Sequence, residues 1–261
     1  MSDAVDLVRL LPTAIYLDTS VLEELPETLE SGELAGLVAQ AGKLEIPVLV
    51  PDIVAKEWLW HRGDKALTSL RNAQTGLRHV ASYLPGTACP NIDEKVLVEA
   101  VWKAARERLA RTGLQSLPAP SVDVPELTVR ALANVPPLRK GFKDELVVLS
   151  IEQDMARRDP KGAAVLVARD KHFGDPEVLA RFDARGGKLV VVGRLEDASK
   201  IVKDALNDVL RAVFAKWETS ARKAAEGAAT KLGDKADLLS AIMDKIARGE
   251  ITSDELAAFA G

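Results

Sequence analysis

The sequence has a single cysteine, Cys89, so no disulfide can form within the chain. One cysteine is an ordinary content for a protein of a reducing cytosol. No apolar run approaches the roughly 20 residues that a membrane-spanning helix needs. The N-terminal segment MSDAVDLVRLLPTAIYL contains Asp3 and Asp6 and lacks a basic start and a small-residue cleavage site, so it does not resemble a secretory signal. These absences make the cytoplasm the default expectation.

The sequence also lacks an excess of basic charge. Its 35 Lys and Arg residues are outnumbered by 39 Asp and Glu residues, and the formal net charge is −4. The whole chain is therefore not generally attractive to phosphate, and any nucleic-acid contact requires a local basic surface. An acidic balance does not exclude a nuclease, because the carboxylates of a metal site contribute negative charge themselves.

Short apolar runs alternate with helical patterns along the chain. The 261 residues, of which 47% are hydrophobic, suit one large globular domain or a domain with an appendage. Four runs rich in β-branched residues predict strands: AIYL before Asp18, PVLVP around Val48, AAVLVA before Arg169 and KLVVVG from Lys188. Apolar strands alternating with helices predict an α/β fold, in which a mostly parallel central sheet is flanked by helices as an α/β/α sandwich.

The helical patterns predict an insertion and an extension. The insertion covers about residues 60–135 and includes the proline-rich stretch QSLPAPSVDVPELTVRALANVPP, for which we predict a loop with a short helix inside it. We place the sheet-containing domain at residues 1–195. Residues 196–261 are alanine-rich, charged and helical in pattern, and we expect this extension to pack on the domain or on another copy of the chain.

Four acids stand at the ends of strands or the starts of helices. Asp18 directly follows the first predicted strand, and Asp170 follows the third. Glu57 lies just inside the helix after the second strand, and Asp144 opens a helix after a loop. Ligands of an open parallel sheet bind outside the carboxyl ends of its strands. Carboxylates gathered there repel one another unless cations bind between them, and hard oxygen donors suit Mg²⁺ or Mn²⁺.

Each acid alone also has an ordinary structural explanation. Asp18 and Asp144 suit helix caps, where a carboxylate meets backbone N–H groups and the helix dipole. Glu57 is explained equally by an exposed helical charge, and Asp170 by a turn. The combination, rather than any one residue, indicates a metal site.

The segments IYLDTSVL, PDIVAKEW, KGFKDELVV and VLVARDKHF, in this order, resemble the four acidic motifs of the PIN-domain nucleases. The resemblance covers about residues 10–195, and KGFKDELV in particular resembles the larger, uncharacterised PIN-like proteins. It implies that Asp18, Glu57, Asp144 and Asp170 are catalytic and bind Mg²⁺ or Mn²⁺, and that Ser20 orients Asp18 or its bound water. Such ions polarise the scissile phosphate and activate a water molecule. The resemblance thus implies a metal-dependent endonuclease, with RNA favoured over DNA.

Further residues near the acids are candidates for metal or substrate binding. Asp175 is a candidate outer metal ligand, and it is equally placed to cap the helix PEVLARF. The candidates for binding the substrate backbone are the basic residues beside the acids: Arg139, Lys140, Lys143, Arg169 and Lys171. In the insertion, Arg106, Arg108 and Arg111 form either a phosphate-binding wall or a solvated helix face.

One histidine and several aromatic residues have structural interpretations. His172 is too solitary to indicate a general acid or a metal ligand. Phe173 is expected in the core, and Trp58, Trp60 and Trp102 are expected to pack rather than to stack on bases.

Two other classes of protein remain open at this point. A strand ending in Asp also resembles the haloacid-dehalogenase-like phosphatases, with Asp18 as nucleophile and with Lys143, Asp170 and Asp175 in supporting places. Those enzymes have a second Asp two residues later, where this sequence has Ser20. The other class is a non-catalytic PIN-like module that binds RNA or a protein. Self-association through the C-terminal helices and an antitoxin or other protein partner complete the expectations.

Overall fold

A computed structural model of the chain describes residues 11–84, 90–132, 141–232, 240, 243–245 and 247–250. The strands are β1 (Pro12–Leu17), β2 (Val48–Pro51), β3 (Gln115–Leu117), β4 (Ala163–Val167) and β5 (Lys188–Val192). The helices are α1 (Thr19–Glu24), α2 (Gly32–Lys43), α3 (Asp52–Ala81), α4 (Glu94–Arg111), α5 (Val124–Leu132), α6 (Phe142–Arg158), α7 (Pro176–Asp183) and α8 (Leu195–Leu232). A 3₁₀ turn at Lys171–Gly174 lies between β4 and α7.

The chain divides into two units. One unit covers Arg9–Ala205 and contains the sheet, and the other includes the chain from Leu206 onward. The two units divide between residues 205 and 206, inside α8, and the boundary expected at residue 195 stays a prediction. Among the described helices, none combines the length and the hydrophobicity needed to cross a membrane.

The central sheet is parallel throughout and has the strand order β3-β2-β1-β4-β5. β1 lies at its centre, where Tyr16 pairs with Leu49 of β2 on one side and with Leu166 of β4 on the other. The apolar sequence PTAIYL suits this position because a central parallel strand is covered on both faces. Pro12 is tolerated because it is the first residue of the strand. The predicted α/β fold with a parallel sheet flanked by helices is confirmed.

One strand was not predicted from the sequence. β3, with the sequence QSL, begins the proline-rich stretch that was predicted to be a loop with a short helix, and α5 is that short helix. Only Leu117 of β3 is buried. β3 therefore has too few apolar residues to be recognised, and its pairing with β2 at the edge of the sheet defines it. The predicted insertion also begins inside a continuous helix, since α3 runs for 30 residues.

Helix α6 packs against the central strand β1, and a buried hydrogen bond joins the two elements. The Tyr16 hydroxyl of β1 donates a hydrogen bond of 2.9 Å to Asp154 Oδ2 of α6. Burial, together with the charge of Asp154, raises the pKa of Tyr16 above its ordinary value, so Tyr16 remains a donor. One face of α6 is buried, including Val147, Val148 and Ile151.

The aromatic residues divide between core and surface. Phe173 and Trp58 are fully buried, which confirms their predicted packing. Packing is also predicted for Trp60, and this prediction is wrong, because Trp60 is 60% exposed. Trp60 is two residues from Trp58 on α3 and therefore faces away from the sheet.

Candidate functional site

Asp18 lies at the carboxyl end of β1, buried within the sheet edge. Its backbone N–H donates to the Val167 carbonyl of β4 at 3.0 Å. Its carboxylate Oδ2 accepts from the Ser20 N–H at 3.1 Å and from the Ser20 hydroxyl at 2.8 Å. Asp18 therefore caps α1, as the structural explanation required. Asp18 is only 1% exposed, and its other oxygen, Oδ1, is buried. This oxygen has no hydrogen-bond partner among the described residues.

Ser20 connects the ends of two neighbouring strands. Its hydroxyl donates to Asp18 and also accepts from the Arg169 N–H at 3.1 Å. The loop after β1 and the loop after β4 are thereby joined. This contact fixes the orientation of the Asp18 carboxylate.

Glu57 is brought to the same edge by α3, which follows β2. The Thr19 hydroxyl donates to Glu57 Oε2, and the Lys143 ammonium lies 2.9 Å from each Glu57 carboxylate oxygen. The contact between Lys143 and Glu57 joins α6 to α3. Because α3 follows β2, and β2 is the other neighbour of β1, this contact lies at the carboxyl end of the sheet.

Asp144 occupies the first turn of α6 and is 6% exposed. Its Oδ1 lies 3.5 Å from the Lys143 ammonium, and its Oδ2 lies 3.1 Å from His172 Nε2, which is not aligned for a hydrogen bond. Burial raises the pKa of Asp144 above its ordinary value, and the negative charge of Asp18 adds to this effect. Electrostatic interaction with Lys143, and to a smaller extent with His172, lowers the pKa of Asp144 but does not cancel the effect of burial.

Lys143 is the cation around which the acids are arranged. Burial alone lowers the pKa of the Lys143 ammonium, but hydrogen bonding to Glu57 and the charges of Asp18, Glu57 and Asp144 outweigh burial and raise it. The residue is therefore positively charged. We call Asp18, Glu57, Asp144 and Lys143 the carboxylate cluster.

The other predicted metal ligands lie near the carboxyl end of β4. Asp170 is exposed and begins the 3₁₀ turn without making a capping hydrogen bond from its side chain. Asp175 caps α7, because its Oδ1 accepts from the Glu177 N–H at 3.0 Å. Neither residue contacts the carboxylate cluster through any hydrogen bond or ion pair found in the described structure.

The predicted substrate-binding residues have separate positions. Lys143 lies within the carboxylate cluster, Arg169 pairs with Glu24 of α1, and Lys171 is exposed. Arg139 and Lys140 lie outside the described residues.

The carboxylate oxygens of the cluster are donors that suit a divalent cation. In this structure, however, Glu57 and Asp144 are arranged around the Lys143 ammonium. Within the described ranges, no group of three or more His, Cys, Asp and Glu side chains is close enough to hold a metal ion. However, the cluster has three carboxylates and one Lys, and the buried Asp18 Oδ1 lacks a partner there. Hard oxygen donors with uncompensated negative charge are those that Mg²⁺ and Mn²⁺ prefer. The donor types of the cluster therefore suit such an ion, although the described acids are not close enough together to hold one in this arrangement.

Two neighbours of the cluster were not predicted from the sequence. Thr19 contacts Glu57, and His172, which was set aside as solitary, lies against Asp144. Both lie within five residues after a strand end, in LDTS after β1 and in ARDKH after β4. Position at the carboxyl end of a parallel strand was the signal that could have identified them.

Comparison with protein-family models identifies the family of the chain. The PIN domain family model matches residues 15–173. The chain belongs to the PIN domain family. The matched range includes Asp18, Glu57, Asp144 and Asp170, together with Lys143. PIN domains are in general hydrolytic nucleases that use divalent metal ions and act on nucleic acid. Comparisons with curated proteins and with solved structures find no match to the chain.

Proposed function

We propose that this PIN domain is a metal-dependent endonuclease that hydrolyses phosphodiester bonds, with RNA as its substrate. The observation that carries the proposal is the carboxylate cluster, in which Glu57 and Asp144 contact one ammonium and the charge of the buried Asp18 also acts on it. Buried side-chain oxygens usually have a hydrogen-bond partner. Asp18 Oδ1 has no such partner in the described part of the chain, which supports a role in binding a cation.

In this proposal Asp18, Glu57, Asp144 and Asp170 hold Mg²⁺ or Mn²⁺, with Asp175 as an outer candidate. When bound, such ions polarise the scissile phosphate and activate the attacking water. Ser20 keeps the Asp18 carboxylate oriented through its 2.8 Å hydrogen bond. Lys143 stabilises the acids in the absence of the ion. Its ammonium also places a positive charge beside the site, where it attracts the substrate phosphate.

The haloacid-dehalogenase-like phosphatase is not favoured by any contact around Asp18. That chemistry needs a general acid two residues after the nucleophile. Ser20 stands there and uses its hydroxyl to donate to Asp18 and to accept from Arg169. A phosphorylated Asp18 trapped with a phosphate-ester substrate would support that class instead.

The decisive experiment compares Asp18→Asn with the wild type on single- and double-stranded RNA and DNA, with Mn²⁺, with Mg²⁺ and with EDTA. We expect wild-type cleavage of RNA to need the metal, and Asp18→Asn to lower the rate by about 100-fold or more. The variant should unfold at the same temperature as the wild type or higher, because one of several mutually repelling charges is gone.

Asp183→Asn is the matched control, since Asp183 ends α7. It should cut as fast as the wild type. Full activity of Asp18→Asn would contradict the mechanism. A folded wild type that cuts none of the substrates and does not bind Mn²⁺ in a calorimetric titration would favour the non-catalytic module.

A further inference from the structure

A concave site lies between α3 and α4, outside the carboxylate cluster. It is a cavity of about 280 Å³, whose walls include Trp58, Arg62 and Lys65 of α3, Arg108 of α4, and Glu27 after α1. We call it the Arg62 pocket. The two helices approach closely beside it, because a Cβ atom at Gly63 would lie 2.8 Å from Trp102 Nε1. This close packing fixes the pocket wall.

Arg62 is buried in this wall with donors that have no acceptor. The residue is 9% exposed, and its guanidinium lies 5.1 Å from the centre of the Trp58 ring. Its Nε and Nη2 groups make no hydrogen bond within the part of the chain that the structure describes, and the same holds for Trp58 Nε1. Buried N–H groups are almost always paired. A concentration of unpaired donors therefore indicates a missing acceptor.

The charge of the pocket indicates what kind of acceptor is missing. Arg62, Lys65 and Arg108 bring three positive charges to the wall. Arg108 Nη1 donates to the Glu27 backbone carbonyl at 3.1 Å, which leaves its charge without an anionic partner in that contact. The Glu27 carboxylate lies 3.5 Å from Arg62 Nη1, but its side chain is 77% exposed. Lys65 pairs with Glu23. A guanidinium with free Nε and Nη2 groups matches an oxyanion, and phosphate above all.

The position of the pocket relates it to the carboxylate cluster. Glu57 and Arg62 are five residues apart on α3, which corresponds to about 7.5 Å along the helix axis. One strand of a nucleic acid carries a phosphate for roughly every 3.4 Å of helix axis. Five residues also separate the two side chains by about 140° around the helix axis. A strand whose scissile phosphate lies at the cluster and whose backbone passes around α3 can therefore place a phosphate about two positions away near Arg62.

We propose that the Arg62 pocket binds a backbone phosphate of the nucleic acid, away from the bond that is cut. The identity of the ligand rests on the proposed nuclease function, whereas the preference for phosphate rests on the pocket alone. Arg62 is thus a substrate-binding residue that the acidic motifs do not contain.

The test measures binding in EDTA, where no cleavage takes place. A labelled single-stranded RNA should bind Arg62→Met about tenfold more weakly than the wild type, and the slope of log affinity against log salt should fall by about 0.7. Lys103→Met is the matched control, since it removes the same charge from an exposed position on α4. The control should change affinity by less than about twofold.

Inorganic phosphate tests the pocket separately. It should change the tryptophan fluorescence of the wild type at constant ionic strength, because its binding alters the charge above Trp58. This change should be absent in Arg62→Met. Circular dichroism checks the fold, and Arg108→Met replaces Arg62→Met if the latter does not fold.

Each negative result has a defined meaning. RNA affinity of Arg62→Met equal to that of the wild type, together with no response to phosphate, would overturn the proposal. A phosphate response with unchanged RNA affinity would overturn the nucleic-acid ligand and identify a site for free phosphate. Because these measurements need neither metal nor turnover, failure of the proposed nuclease activity is distinguished from failure of the Arg62 pocket.

Discussion

Helix α6 carries two adjacent acids that meet opposite electrostatic surroundings. Asp144 belongs to the carboxylate cluster, where Lys143 contacts Glu57 and Asp144 and is influenced by the charge of Asp18. Glu145 is fully buried and contacts Arg130 and Arg181. About two turns further along the helix, Glu152 accepts two further hydrogen bonds from Arg181, of 2.6 and 2.9 Å. We call Arg130, Glu145, Glu152 and Arg181 the arginine network.

The difference separates structural from functional charge. In the arginine network each buried carboxylate contacts a guanidinium, and the network joins α5, α6 and α7. In the carboxylate cluster, acids outnumber cations, and burial raises the pKa of Asp144. Carboxylates without enough partners are costly to a fold. Such a cost is typical of sites that are arranged for a ligand.

The largest expected effect is the loss of the arginine network. Arg181→Met leaves the buried carboxylates of Glu145 and Glu152 without their shared partner and should lower the free energy of unfolding by about 3–5 kcal/mol. Urea unfolding measures this change. The control is Arg185→Met, since Arg185 lies 3.7 Å from Glu152 with a side chain that is 54% exposed. It should cost less than about 1 kcal/mol. Equal effects of the two substitutions would contradict a structural role specific to Arg181.

An intermediate effect is expected for the cation of the carboxylate cluster. Lys143→Met should lower the free energy of unfolding by about 1–2 kcal/mol in EDTA, because three acids lose their common partner. Mn²⁺ should then raise the melting temperature of this variant more than that of the wild type, since the ion no longer competes with an ammonium. Lys56→Met, which removes an exposed partner of Asp52, is the control. An identical response to Mn²⁺ in all three proteins would count against a cation site at Lys143.

The smallest effect is expected for Asp144→Asn, and it depends on pH. The raised pKa of Asp144 means that the fold favours the protonated carboxyl, so its contribution to stability is complete below the ordinary Asp pKa of about 3.9 and is lost as the pH rises through the higher folded value. An amide carries no charge. Asp144→Asn should therefore melt at a higher temperature than the wild type at pH 7 in EDTA, and the difference should shrink towards pH 4. A lower melting temperature at pH 7 would show that the attraction of Lys143 for Asp144 outweighs burial.

Much of the fold could be predicted from the sequence because its central strands are apolar on both faces. AIYL and AAVLVA become β1 and β4, and these two strands are neighbours. The strand QSL could not be predicted, because three residues with one buried side chain carry no periodicity. Trp60 was placed inside by its residue type alone, whereas the face of α3 on which it lies leaves it exposed.

The candidate site could be predicted in part, for a related reason. Strand ends indicate where acids collect, and this places Asp18 and Glu57 at the same edge. Which cation meets them is a property of packing between distant elements. The contact of Lys143 with Glu57 joins residues that are 86 positions apart. No local pattern specifies that contact, nor the unpaired donors of Arg62.

The pairing of β1 with β4 also determines when the site comes into existence. The Thr13 hydroxyl bonds to the Ala163 carbonyl, 150 residues later in the chain. Contacts of such long range form late and slow folding. During synthesis, the strand that ends at Asp18 leaves the ribosome well before β4, which supplies its neighbour. A nascent chain therefore carries an incomplete edge, and the proposed nuclease activity is not expected until translation has passed the fourth strand.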